Sequence, residues 1–112
     1  MDRLDQFRAR SRHEIEAHAG DVDSTDTGRY FINEASELLA ALRLWAQSQY
    51  RADQVIREVL EASDVVALNG VARELQELGT TDGQAASESV ALVVDKAAGE
   101  LMAIAGYALR AL

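Results

Sequence analysis

From residue 31 to residue 66 the side chains on one register step by alternating four and three. They are Phe31, Ala35, Leu38, Leu42, Trp45, Gln49, Ala52, Ile56, Val59, Ser63 and Val66, nearly all of them apolar. That spacing keeps one side chain per turn on a single face of an α-helix. A face of such length must be covered by other helices or by a second copy of the chain. The sequence contains no proline, the residue a helix interior tolerates worst, and it is rich in alanine, the strongest helix former. These features together predict an all-α protein, an up-down bundle of about four helices in a single domain over residues 1–112.

The expected helices cover residues 3–19, 29–62, 64–78 and 84–111. In the first, Leu4, Phe7 and Ile15 form a thin apolar face. Ser11 and Glu14 have capping-box spacing, which offers an alternative start at residue 12. Residues 20–28 read as a loop, with Asp26 or Thr27 as the cap of the next helix. A continuous helix over 29–62 would be about 50 Å long, beyond a compact domain of this size. The chain therefore either breaks near 48–52, where Gln47, Ser48, Gln49 and Arg51 are polar, or forms a rod that self-associates. Asn69-Gly70 carries a turn signal inside the third helix, and Gly79 suits its C-terminal cap. Thr81 and Gln84 again have capping-box spacing. The last helix is thin, with Ala97, Ala98, Gly99, Ala103, Ala105, Gly106 and Ala108, so it is expected at the centre of the bundle or at a close helix–helix seam.

Charge narrows the function classes. The net charge is −8, and the eleven basic residues are ten arginines and Lys96. Direct nucleic-acid binding needs a basic patch, so it is not expected. An acid excess favours basic partners. Without cysteine there are no disulfides or thiolate metal sites. No apolar run reaches the roughly 18–20 residues that cross a bilayer, so no transmembrane segment is expected. No leader pattern is visible either, and a cytoplasmic location is the default expectation.

Candidate chemistry is sparse. His13 and His18 lie five apart, which turns their rings roughly 140° from each other on a helix and prevents shared metal ligation. Residues 23–34 resemble an EF-hand calcium loop, with aspartate first, glycine sixth and glutamate twelfth. Asp23, Thr25, Thr27 and Glu34 are the candidate ligands, although threonines stand where carboxylates or amides belong. No serine has an elbow of glycines, and there is no phosphate-cradling glycine loop. Neither an enzyme activity nor a cofactor is expected. The residues marked for an interface are Phe31, Leu38, Leu42, Trp45, Tyr50 and Ile56; for Trp45, core packing is the preferred role.

The leading functional expectation is a non-enzymatic helical interaction module, a homo-oligomer (a dimer in its simplest form) that acts as adaptor or regulator and binds itself or another protein. One alternative is an amphipathic coat on a lipid or polymer granule, although such helices usually carry a basic polar face. Another is an acidic inhibitor that mimics nucleic acid, carried by Glu34, Glu37, Glu58, Glu61, Glu74 and Glu77 in pairs three apart.

Overall fold

The long periodic face is broken in the folded chain. The computed structural model describes residues 3–19 and 25–112. Six helices form among them, and no strand: α1 (Arg3–Ala19), α2 (Asp26–Ser48), α3 (Asp53–Ala62), α4 (Val65–Glu77), α5 (Thr81–Val94) and α6 (Ala98–Leu109). The expected four helices become six because residues 29–62 and 84–111 each divide in two. The principal extents are 38 × 31 × 23 Å, too short for a 50 Å rod. Breaking the run at residues 49–52 lets α3 fold back against α2.

α2 is the axis of the fold, and it packs against each of the other five helices. Its residues are buried without a gap from Leu38 to Ala46. A helix hydrophobic on every side has no solvent face, so other elements must enclose it. Leu4 and Ile15 of α1, Ile56 and Leu60 of α3, Leu68 and Leu75 of α4, Val90 and Val93 of α5, and Leu101 and Ile104 of α6 complete one core. Each fully buried leucine or isoleucine contributes on the order of 1.5–3 kcal/mol. The thin last helix is therefore not central: α6 buries Ala105 and Ala108, but Gly99 and Gly106 face open space and Met102 is exposed.

Local chemistry sets the helix ends. Thr25, not Asp26 or Thr27, caps α2, its hydroxyl accepting a hydrogen bond from the Gly28 amide at 2.8 Å. At its C-terminus, the Arg51 amide donates to the Ala46 carbonyl (2.8 Å) and the Tyr50 amide to the Gln47 carbonyl (3.2 Å). This pair of bonds is a Schellman motif, and Tyr50 takes the left-handed position (φ 54°) that glycine usually fills. α1 starts at Arg3, so Ser11 and Glu14 are interior to it and do not cap a later start. Asn69-Gly70 makes no turn and lies inside α4.

The α4–α5 corner uses glycine twice. Gly79 is left-handed (φ 68°) and ends α4. Thr80, one residue before the expected cap, accepts from the Gly83 amide at 2.9 Å. A Cβ at Gly83 would lie 2.5 Å from the Leu75 carbonyl oxygen and 3.1 Å from Leu78 Cβ, so only glycine lets α5 start this close to α4. Ser87 then ties the two helices, donating to the Ala72 carbonyl at 2.8 Å. Gly70 has nothing within 4 Å of its would-be Cβ.

The two glycines should therefore respond oppositely to alanine. Gly70→Ala is expected to raise unfolding free energy by about 1 kcal/mol through helix propensity. Gly83→Ala is expected to lower it by about 1–3 kcal/mol through overpacking against backbone. Urea unfolding followed by circular dichroism measures both.

Candidate functional site

Enclosing α2 on all sides forces one charge indoors. Arg43, only 6% exposed, lies in the middle of its most buried stretch. A buried guanidinium is tolerable only if its donors are matched. α1 supplies the match: Arg43 Nη1 donates to Ser11 Oγ and Nη2 to Glu14 Oε2, both at 2.8 Å. Ser11 and Glu14 lie three apart on α1 and so point the same way. Glu14 also accepts from Arg10 Nε at 2.8 Å. Partial burial pushes the Glu14 carboxyl up, but the hydrogen bonds from Arg43 and Arg10 outweigh it and hold it below the ordinary value.

Two residues past Arg43 the same helix carries Trp45. Its indole Nε1 donates to Glu74 Oε2 of α4 at 2.6 Å, and the Arg51 guanidinium sits 5.5 Å from its ring centre. Arg51 has no carboxylate within ion-pair distance among the described residues. Beside these groups a cleft of about 260 Å³ opens between α1 and the α2–α3 corner, lined by Phe7, Arg10, Arg43, Ala46, Gln47, Arg51, Asp53 and Ile56. Tyr50 stands at that corner, 98% exposed. An acidic chain thus gathers three arginines and a projecting tyrosine at one corner.

A second polar cluster joins the start of α2 to α6. Lys96 Nζ donates to Tyr30 Oη at 2.7 Å, Tyr30 Oη donates to Glu100 Oε1 at 2.6 Å, and Glu34 lies 3.9 Å from Lys96. The hydrogen bond to Tyr30, with Glu34 and Glu100 nearby, outweighs desolvation and raises the Lys96 pKa above its ordinary value. Phe31 stacks on Tyr107 with centroids 5.7 Å apart. Every group here has an internal partner, so the cluster reads as a clasp between two helices.

The residues singled out in the sequence fall into three groups. Leu38, Leu42, Ile56 and Trp45 are sealed in the chain's own core, and Phe31 is half-buried against it. Tyr50 alone of the interface set is fully presented to solvent. Of the calcium-loop set, Asp23 lies outside the described residues. Thr25 is the α2 cap, Thr27 is exposed in the first turn, and Glu34 faces Lys96. Residues 26–34 are helical, so Thr27 and Glu34 are about 10 Å apart along the axis, and the two do not converge on one ion. Among the described residues no three histidine, aspartate or glutamate side chains cluster as metal ligands. His13 and His18 are exposed on α1. No helix of the described residues is long and apolar enough to cross a membrane.

Arg43 was not legible as a site residue, since arginine off the four-three register reads as solvated. The usable signal was its surroundings: Ala40, Ala41, Leu42, Leu44, Trp45 and Ala46 leave no polar face for it to occupy. Comparison with protein-family models, curated proteins and solved structures returned no match.

The Arg43–Glu14 link predicts acid sensitivity. A carboxyl whose folded pKa is depressed stabilises the fold above its unfolded value and loses that contribution as pH falls through the folded value. Glu14→Gln is expected to cost about 1–3 kcal/mol at pH 7. The gap from the parent should hold down to the ordinary carboxyl value of 4.5 and close below it. Urea unfolding of both proteins at stepped pH measures this.

Proposed function

We propose that this chain is a non-enzymatic helical interaction module, an adaptor or regulator whose contact is centred on Tyr50. The observation that carries the reading is how Tyr50 is held. Left-handed backbone costs a residue with a Cβ about 1–2 kcal/mol relative to glycine. A 98% exposed ring recovers little of that within its own chain. Tyrosine is among the side chains that dominate binding energy once a partner covers them. Arg51, next to it in the chain, favours an acidic contact on the partner.

Self-association is the second form of this reading. It rests on the most exposed of the large apolar side chains that the core leaves outside: Tyr50, and Val66, Leu92 and Met102 on α4, α5 and α6. The long periodic face no longer argues for a second copy, because α2 and α3 bury it within one chain. A granule coat is less well supported, since these exposed residues belong to separate helices and form no stripe along one. Nucleic-acid mimicry is weakened because Glu34, Glu37 and Glu74 of its acidic set are engaged by Lys96, Arg8 and Trp45.

Tyr50→Gly separates fold from function. The variant is expected to be more stable than the parent by about 1 kcal/mol in urea unfolding. A photoreactive phenylalanine analogue at position 50, irradiated in the native host, is expected to give one dominant protein adduct by mass spectrometry. An adduct between two copies, matched by a dimer in sedimentation velocity that Tyr50→Gly abolishes, selects the homo-oligomeric form. No adduct beyond that from a control position such as Asn69 would overturn the reading.

A further inference from the structure

The three-arginine cleft has more donors than the protein uses. Each guanidinium carries five N–H groups. Hydrogen bonds within the described chain take one donor of Arg10, through Nε, and two of Arg43. Arg51 gives none of its side-chain donors to a carboxylate there; its plane is positioned by Trp45. Gln47 adds an amide to the lining. The charge balance is local and opposite to that of the whole chain. Arg10, Arg43 and Arg51 face Asp53, the one carboxylate in the lining, and Glu14, which ties Arg10 and Arg43 from behind. One cation is left over in a protein of net charge −8.

Arg43 makes this a built site and not a chance meeting of surface side chains. It is nine-tenths buried, and Ser11 and Glu14 fix its orientation. Arg10, itself largely exposed, donates through Nε to the other oxygen of the same Glu14. The Arg43 guanidinium is therefore pre-organised, which lowers the entropy cost of binding.

We propose that this cleft binds a phosphate group. A planar carboxylate is matched by one guanidinium fork, whereas donors from several directions suit a tetrahedral oxyanion with acceptors on every side. At about 260 Å³ the cleft lies below the size of pockets for drug-sized ligands, so the phosphate is free or carries a small organic group. Phe7 and Ile56 supply an apolar wall for such a group. This site stands independently of the Tyr50 contact.

The test is a titration of the full chain, labelled with ¹⁵N, by inorganic phosphate and by phenyl phosphate, against sodium chloride at matched ionic strength. Saturable shifts are expected at the Arg10, Arg43 and Arg51 side-chain Nε–H signals and at Gln47. Tighter binding of phenyl phosphate identifies a phosphate monoester as the ligand, and equal or weaker binding identifies the free ion. Arg51→Gln is expected to weaken binding about tenfold, the loss of one charge-assisted contact. Asp53→Asn, which removes the opposing carboxylate, should tighten it several-fold. Shifts reproduced by chloride alone would overturn the proposal, as would affinities unchanged in both variants while their melting temperatures stay at the parent's.

Discussion

Enclosure of α2 on every side is the constraint from which the rest of the structure follows. From Leu38 to Ala46 every residue of that helix is buried. Five helices are needed to cover it, and the two longest apolar runs of the chain must bend to supply them. Because the enclosure admits no polar face, Arg43 has to be neutralised inside the protein. α1 provides for this with Ser11 and Glu14 and is thereby registered against α2. Arg8 of α1 repeats the arrangement at the rim, pairing with Glu37 at 2.9 Å. The buried contact specifies how α1 docks more than it adds net stability, since an ion pair leaving water recovers in attraction roughly what it loses in hydration.

Bending the chain without proline has a recognisable chemistry. α4 ends on a left-handed glycine, and Gly83 then permits close approach of α5. α2 ends with the same hydrogen-bond pattern as a glycine-terminated helix, but with tyrosine in the left-handed position. α3 ends on Ser63, also left-handed (φ 47°), whose hydroxyl donates to the Leu60 carbonyl at 2.9 Å. Serine finds a local hydrogen-bond partner there, whereas the Tyr50 ring finds none among the described residues. That contrast singles out the α2–α3 corner as the place where local stability has been given up, and such departures concentrate at functional positions.

The helical class, the α4 span and most core positions were legible because hydrophobic period and the absence of proline are properties of the sequence alone. Leu38, Leu42 and Ile56 had to be shielded, and they are. The corners were less legible. Nothing in Gln49-Tyr50-Arg51 carries a turn signal strong enough to place a left-handed residue, and the break there was readable only from the improbable length of the alternative. The α5–α6 corner was missed altogether: Asp95, Lys96 and Ala97 include neither glycine nor proline, and the four-three register runs through them. Asn69-Gly70 misleads in the other direction, since packing of Leu68 and Val71 holds α4 straight through a local turn signal. Of the candidate site, Tyr50 was visible as an exposed aromatic. Arg43 and the cleft were not, because they depend on which helix α2 meets at that height, a tertiary fact that no local pattern encodes.

Native-state hydrogen exchange tests the central claim most directly. If α2 is the enclosed axis, the amides of residues 38–46 open only when the whole molecule unfolds. Their exchange free energies should equal the global value from urea unfolding, while the exposed turns of α4 and α6 exchange through smaller openings. α2 amides exchanging at markedly lower free energy than those of α4 or α5 would contradict an account in which every other helix is arranged around it.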